Sequence, residues 1–170
     1  RLTLLGAPKV SVMGNLKFDI VAPQAMLALA SALRQQFGSA RKIMLAASTR
    51  EGEEALLLDA FQSAGGIGAT LLVIVPRHPQ RFNEIAEMLV KRGLRYQRRS
   101  EDRTVLAEIQ VVLGESMGEM FADYAASDLA YIGGRLLPLG GQTLFEACSV
   151  GTPVLIGPHT YNFADATKLA

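Results

Sequence analysis

Leu71-Leu72-Val73-Ile74-Val75 runs straight into Pro76-Arg77-His78-Pro79, and Phe82, Ile85, Ala86, Leu89 and Val90 follow at helical spacing up to Gly93. A short, continuous apolar run bounded by turn residues is what a parallel strand buried on both faces requires. A strand, a stiff loop and an amphipathic helix make half of a βαβ unit, and the same pattern extends both ways along the chain. Upstream, Ile43 to Ala47 reads as a strand, followed by a helix marked by Leu56, Leu57, Ala60 and Phe61 and closed by Gly65-Gly66. Before it, Val10 to Met13 reads as a strand. Met26, Leu29, Ala30, Leu33 and Phe37 read as a helix that starts near Pro23 and stops at Gly38. Downstream, Arg95 to Arg99 suits a short edge strand and Ile109 to Leu113 a further strand. A helix follows with Met117, Met120, Phe121 and Tyr124 on one face. Leu129 to Ile132 is a strand, a helix runs near Thr143 to Val150 and ends at Gly151-Thr152-Pro153, Val154 to Ile156 is the last strand, and a final helix begins near Phe163. This alternation predicts an α/β fold: one Rossmann-like domain over 1–170, with a parallel sheet and helices on both faces.

Composition narrows the function. The 170 residues carry 17 basic and 16 acidic side chains for a net charge of +1, with 49% apolar and 19% charged residues. Those fractions fit a folded domain, and a chain of this size buries about 70% of its unfolded surface. A nearly neutral chain gives no electrostatic case for nucleic acid. Cys148 is the only cysteine, which excludes an internal disulfide and a Cys-rich zinc site. It lies four residues after Leu144, on the side of the helix expected to be buried, and reads as core packing. No apolar run approaches the roughly 18 residues of a membrane span. The chain starts at Arg1 without a Met and ends at Ala170 inside a helix-forming stretch, so a fragment truncated at both ends is expected.

Parallel sheets bind ligands beyond the carboxyl ends of their strands, where the unusual loops of this chain fall. Arg77, between Pro76 and Pro79, is a guanidinium on a stiff loop: it either grips a phosphate bidentately or pairs with a local carboxylate. Gly114 to Glu119 and Gly140 to Thr143 each lead into a helix, suiting either an anion or ordinary cap chemistry. Neither is a Walker loop, and Gly65-Gly66-Ile67-Gly68 precedes a strand, so it is not a dinucleotide fingerprint. Glu146 falls in a first helical turn, placed to accept from ribose hydroxyls or simply to complement the helix dipole. Ser48 and Glu51 fit a capping box. His78 and His159 make a poor metal set, though either suits acid–base chemistry. The cluster Lys91-Arg92-Gly93-Leu94-Arg95-Tyr96-Gln97-Arg98-Arg99 reads as a solvated helix end and edge strand, or as a contact for anionic headgroups.

Met13-Gly14-Asn15-Leu16-Lys17-Phe18-Asp19 resembles the Gly-Asn-Leu-Lys-Phe-Asp signature of the 3-deoxy-D-manno-octulosonic acid (Kdo) transferases of lipopolysaccharide synthesis. Further matches follow in family order: Ala47 to Glu54, Pro76 to Phe82, Met117-Gly118-Glu119, Tyr131 to Gly134, Gly140-Gly141 through Glu146, and Gly157 to Phe163. Each motif is weak alone; together and in order they are specific, and they span the chain.

The resemblance implies the C-terminal, donor-binding half of an inverting GT-B glycosyltransferase that moves Kdo from CMP-Kdo to a lipid A precursor. It implies no cofactor and no metal. It places the acceptor surface, the catalytic carboxylate and a membrane-associating segment in an N-terminal domain, with the full enzyme at the cytoplasmic face of the inner membrane and the fragment soluble. Carried onto this chain, Pro76 and Arg77, then Met117, Gly118 and Glu119, then Thr143, Leu144, Phe145 and Glu146 match CMP-contacting stretches, with Arg77 on the phosphate and Glu146 on the ribose. Lys17 matches a residue that stabilises charge in the transition state. Gln142-Thr143 departs from the family's His-Asn, which puts the Thr143 contact in question, and Arg135 stands where a small Ser is common, either adding charge to the donor pocket or pointing to solvent. A GT-B domain for a UDP-sugar and a flavodoxin-like binding module remain the alternatives.

Overall fold

The central strands explain the rest of the architecture. β1 (Lys42–Thr49) and β2 (Thr70–Pro76) pair in parallel from Lys42 opposite Thr70 to Ala47 opposite Val75. Every residue of β2 after Thr70 is buried, as a strand covered on both faces demands. In the computed structural model, which describes residues 2–11, 20–65 and 70–159, six parallel strands form one sheet in the order β3-β4-β2-β1-β5-β6. The remaining strands are β3 (Tyr96–Arg98), β4 (Val111–Leu113), β5 (Leu129–Ile132) and β6 (Val154–Ile156).

The order dictates where the helices go. From β1 the chain steps to β2 and on towards β3 through α2 (Glu53–Ser63) and α3 (Phe82–Lys91). It then reverses across the sheet to β5 and β6 through α4 (Met120–Ala125) and α5 (Phe145–Ser149). Right-handed crossovers running in opposite directions must cover opposite faces. The core divides accordingly. Leu71, Val73 and Val75 pack with Ala122, Tyr124 and Ala147 and with Leu33 and Phe37 of α1 (Gln24–Phe37). Leu72 and Ile74 pack with Leu58, Phe61, Ile85 and Leu89 on the other face. Alternate residues of one strand thus feed two cores, and each fully buried Leu or Ile contributes about 1.5–3 kcal/mol.

The expected α/β class and parallel sheet are present, with differences at the ends. Val10 and Ser11 lie outside any strand; the rest of that expected strand, and the helix from Phe163, fall outside the described residues. α5 has only the turn Phe145–Ser149, too short to bury both the i+3 and i+4 neighbours of Leu144. Ala147 takes the core position, and Cys148 is exposed, contrary to its expected packing role. No helix among the described residues is long and apolar enough to cross a membrane.

Candidate functional site

The order in which strands are added reverses between β1 and β5, and the ends of the parallel strands beside that point are spliced together by backbone hydrogen bonds. Arg77 N–H donates to Thr49 O at 3.0 Å, Gly114 N–H to Ile74 O at 2.7 Å, and Gly133 N–H to Ala47 O at 2.8 Å. Three loops are thereby drawn to one rim, the place where open parallel sheets bind ligands. A cavity of about 250 Å³ opens there, its lining including Ser48, Pro76, Arg77, Met117, Gly118, Thr143 and Glu146, with Tyr124 and Gln142 also in its wall.

The candidate residues differ in what they present. Arg77 is exposed, and its guanidinium forms no ion pair among the described residues, so no local carboxylate there competes for it. Glu146 is half-buried, and burial pushes its carboxyl pKa above the ordinary value. A carboxylate in that state readily accepts a hydroxyl hydrogen bond. Met117 stands at the rim, 55% exposed. The Thr143 hydroxyl accepts a long 3.5 Å contact from Phe145 N–H. Leu144 is 1% exposed and Phe145 packs against the same core, so this pair supports the cavity wall from behind. Glu119 turns away: its carboxylate takes the Arg99 Nη2 at 2.5 Å and faces a separate depression of about 300 Å³ beside Leu33. Lys17 lies outside the described residues.

Buried charge braces the rim on both sides, and none of it was apparent from residue spacing. Glu53, 0% exposed, accepts from Gly134 N–H at 2.6 Å, the Tyr131 hydroxyl at 2.7 Å, Arg50 and Arg135 N–H at 2.9 Å and Leu136 N–H at 3.0 Å. Burial alone would raise its pKa; hydrogen bonds from Gly134, Tyr131, Arg50 and Leu136 overcome that and hold it below the usual carboxylate value. Glu54, equally buried, grips Arg81 bidentately at 2.7 and 3.1 Å and so anchors the turn that follows Arg77. Two consecutive acids after Gly52 look like dipole complements in a first turn; only the long-range fold shows that both are interior ligands of the loops.

Other expectations are corrected. Gly52, at φ +86°, caps α2, and Glu53 rather than Glu51 reaches back to the preceding backbone, so Ser48 and Glu51 form no capping box. Arg135 is neither in the cavity lining nor in solvent: it is fully buried, with Nη2 donating to Gln142 O at 2.8 Å. The basic cluster is largely neutralised. Arg92 pairs with Asp59, Arg98 with Glu115, and Arg99 with both Glu119 and Asp123. No group of His, Cys, Asp and Glu able to hold a metal occurs among the described residues.

Known proteins with this architecture point one way. No family model matches the chain. It is 44% identical to a 3-deoxy-D-manno-octulosonic acid transferase of Bordetella pertussis and 36% identical to one of Haemophilus influenzae, over 99% of its own length in each case. It spans 40% of the length of those curated relatives. The crystal structure of the C-terminal CMP-Kdo binding domain of WaaA from Acinetobacter baumannii superposes with a TM-score of 0.80 at 33% identity, covering 86% of this chain and 77% of that one. The chain therefore belongs to the 3-deoxy-D-manno-octulosonic acid transferase family and has the fold of its C-terminal domain.

Proposed function

We propose that this domain binds CMP-Kdo and serves as the donor half of an inverting Kdo transferase acting on a lipid A precursor. One observation carries the reading: Arg77, Met117-Gly118, Thr143 and Glu146, drawn from three distant stretches, line a single cavity at the rim of the sheet. In the reaction the acceptor hydroxyl attacks the anomeric carbon of Kdo, the bond from that carbon to the phosphate oxygen breaks, and CMP departs with the negative charge. Arg77 neutralises that charge as it grows, and Glu146 holds the ribose hydroxyls so that the phosphate meets the guanidinium in register. Lys17 stabilises charge in the transition state, and a carboxylate of the N-terminal half of the enzyme takes the acceptor's proton. That half also supplies the acceptor surface and the contact with the cytoplasmic face of the inner membrane.

Calorimetric titration of CMP, UMP and cytidine into the 170-residue chain tests the donor reading. CMP is expected to bind more tightly than UMP or cytidine, and Arg77→Ala to weaken CMP roughly 10- to 100-fold, the loss of a charge-assisted hydrogen-bond pair. Equal CMP affinity in the variant overturns the phosphate role, and tighter UMP binding favours a UDP-sugar donor.

A further inference from the structure

Ser48 sits in a local geometry that is unfavourable for a serine. The β1–β2 register runs regularly to Ala47 opposite Val75, then resumes at Thr49 opposite Pro76, leaving Ser48 as the extra residue of a bulge. Its φ is +54°, one of only two positive values at non-glycine residues among those described. A β-branched or unbranched L residue avoids that region, and when one is held there the surrounding structure has to enforce it. Gly133 is part of the enforcement: a Cβ on it would lie 2.3 Å from the Ser48 carbonyl oxygen, so only glycine lets the two strand ends close. Bulges at strand ends re-aim side chains, often beside active sites.

The bulge has a clear result. Thr49, the next residue, is fully buried, whereas Ser48 lines the same cavity as Arg77, Thr143 and Glu146. Its hydroxyl has no hydrogen-bond partner among the described residues, so it remains available to a ligand. The carbonyl of Thr49 receives the backbone N–H of Arg77, which ties the bulge to the loop that carries Arg77.

Building on the nucleotide reading, we infer that the Ser48 hydroxyl donates a hydrogen bond to a phosphate oxygen of the bound nucleotide, beside the Arg77 guanidinium. A neutral O–H next to a cation suits an oxygen that Arg77 does not reach, and the bulge fixes its direction before the ligand arrives.

The test compares Ser48→Gly with Ser48→Ala and Arg77→Ala, titrating CMP and cytidine into each. Glycine accepts a positive φ without strain, so Ser48→Gly is expected to melt no lower than the parent chain, and any loss of binding then reflects the missing hydroxyl. Both Ser48 variants are expected to lose about tenfold or more in CMP affinity, the size of a hydrogen bond to a charged group, with cytidine affinity unchanged. CMP affinity within twofold of the parent in Ser48→Gly, while Arg77→Ala is weakened, overturns the Ser48 contact and leaves the phosphate site standing. Equal losses for CMP and cytidine overturn it too, because they mark a change of cavity shape. A parent chain that fails to bind CMP overturns the nucleotide reading itself, and the Ser48 contact with it.

Discussion

Two carboxylates brace the same cavity from opposite sides, both removed from water, and their chemistry runs in opposite directions. Glu53 holds the loop after β5 and is ringed by four backbone N–H groups and the Tyr131 hydroxyl. Asp123 backs the loop after β4. One of its oxygens meets Arg99 Nη1 at 2.8 Å, and the other, Oδ2, is buried without a hydrogen-bond partner. Burial pushes the Asp123 pKa up to about 7; Arg99 works against that shift and the Glu119 charge works with it. Burial alone therefore does not decide the protonation of an interior acid. A full set of neutral donors keeps Glu53 ionised, while one cation shared with a second carboxylate does not do the same for Asp123.

The largest effect that would break this contrast is expected at Glu53. Glu53→Gln keeps the shape but replaces one acceptor oxygen with a donor, facing backbone N–H groups that bond to the carboxylate; Leu136 N–H also reaches the Tyr131 hydroxyl at 3.2 Å. Each buried donor left unsatisfied costs about 1–3 kcal/mol, so a loss of about 3 kcal/mol or more is expected in urea denaturation. A loss below about 1 kcal/mol would show that the loop after β5 is held by packing and that the carboxylate is incidental.

The pH dependence sharpens the contrast, because the two signs differ. Asp123 keeps its proton in the folded chain up to about 7, whereas an unfolded Asp releases it near about 4. Its contribution to stability is complete below the lower value and is lost as pH rises towards the upper one. Glu53, with its pKa lowered, contributes above the unfolded glutamate value of about 4.3, and that contribution is lost as pH falls through its folded value. Urea midpoints of the parent and Asp123→Asn across pH 4 to 8 separate the two. The parent is expected to lose stability relative to the variant by up to about 1.4 kcal/mol per pH unit in that window. Parallel curves would mean that Arg99 keeps Asp123 ionised throughout.

The same contrast shows what the amino-acid sequence discloses. The central strands were legible because Leu71 to Val75 has no polar break and five consecutive buried positions tolerate none. The cavity was legible in outline because Arg77, Gly118 and Glu146 follow strands whose carboxyl ends must share a rim. Glu53 reaching Gly134 and Arg99 reaching Asp123 were not legible: a local pattern carries no information about partners 81 and 24 residues away. Ser48 shows the converse problem. Its spacing to Glu51 fits a cap, but the positive φ of Gly52 moves the helix start, which frees Ser48 for the cavity. Leu144 and Phe145 lie in a matching stretch yet face the core, because a one-turn helix has to seat itself before it can present anything.

The smallest expected effect concerns Glu119, which joins the two halves of the comparison. Its backbone continues the Met117-Gly118 wall of the cavity, but its carboxylate belongs to the Arg99–Asp123 cluster. Removing its charge with Glu119→Gln frees Arg99 to serve Asp123 alone and removes a like charge, so the Asp123 pKa is expected to fall. The pH at which the parent loses stability should shift downward accordingly, making Asp123 behave more like Glu53. With the side chain a third exposed, the change in stability near neutral pH should stay within about 1 kcal/mol. CMP affinity should remain within about twofold, because the group altered points away from the cavity. A tenfold loss of CMP binding would place the Glu119 carboxylate on the nucleotide instead, and would mean that ligand binding draws it off Arg99 and reorganises the cluster behind the wall.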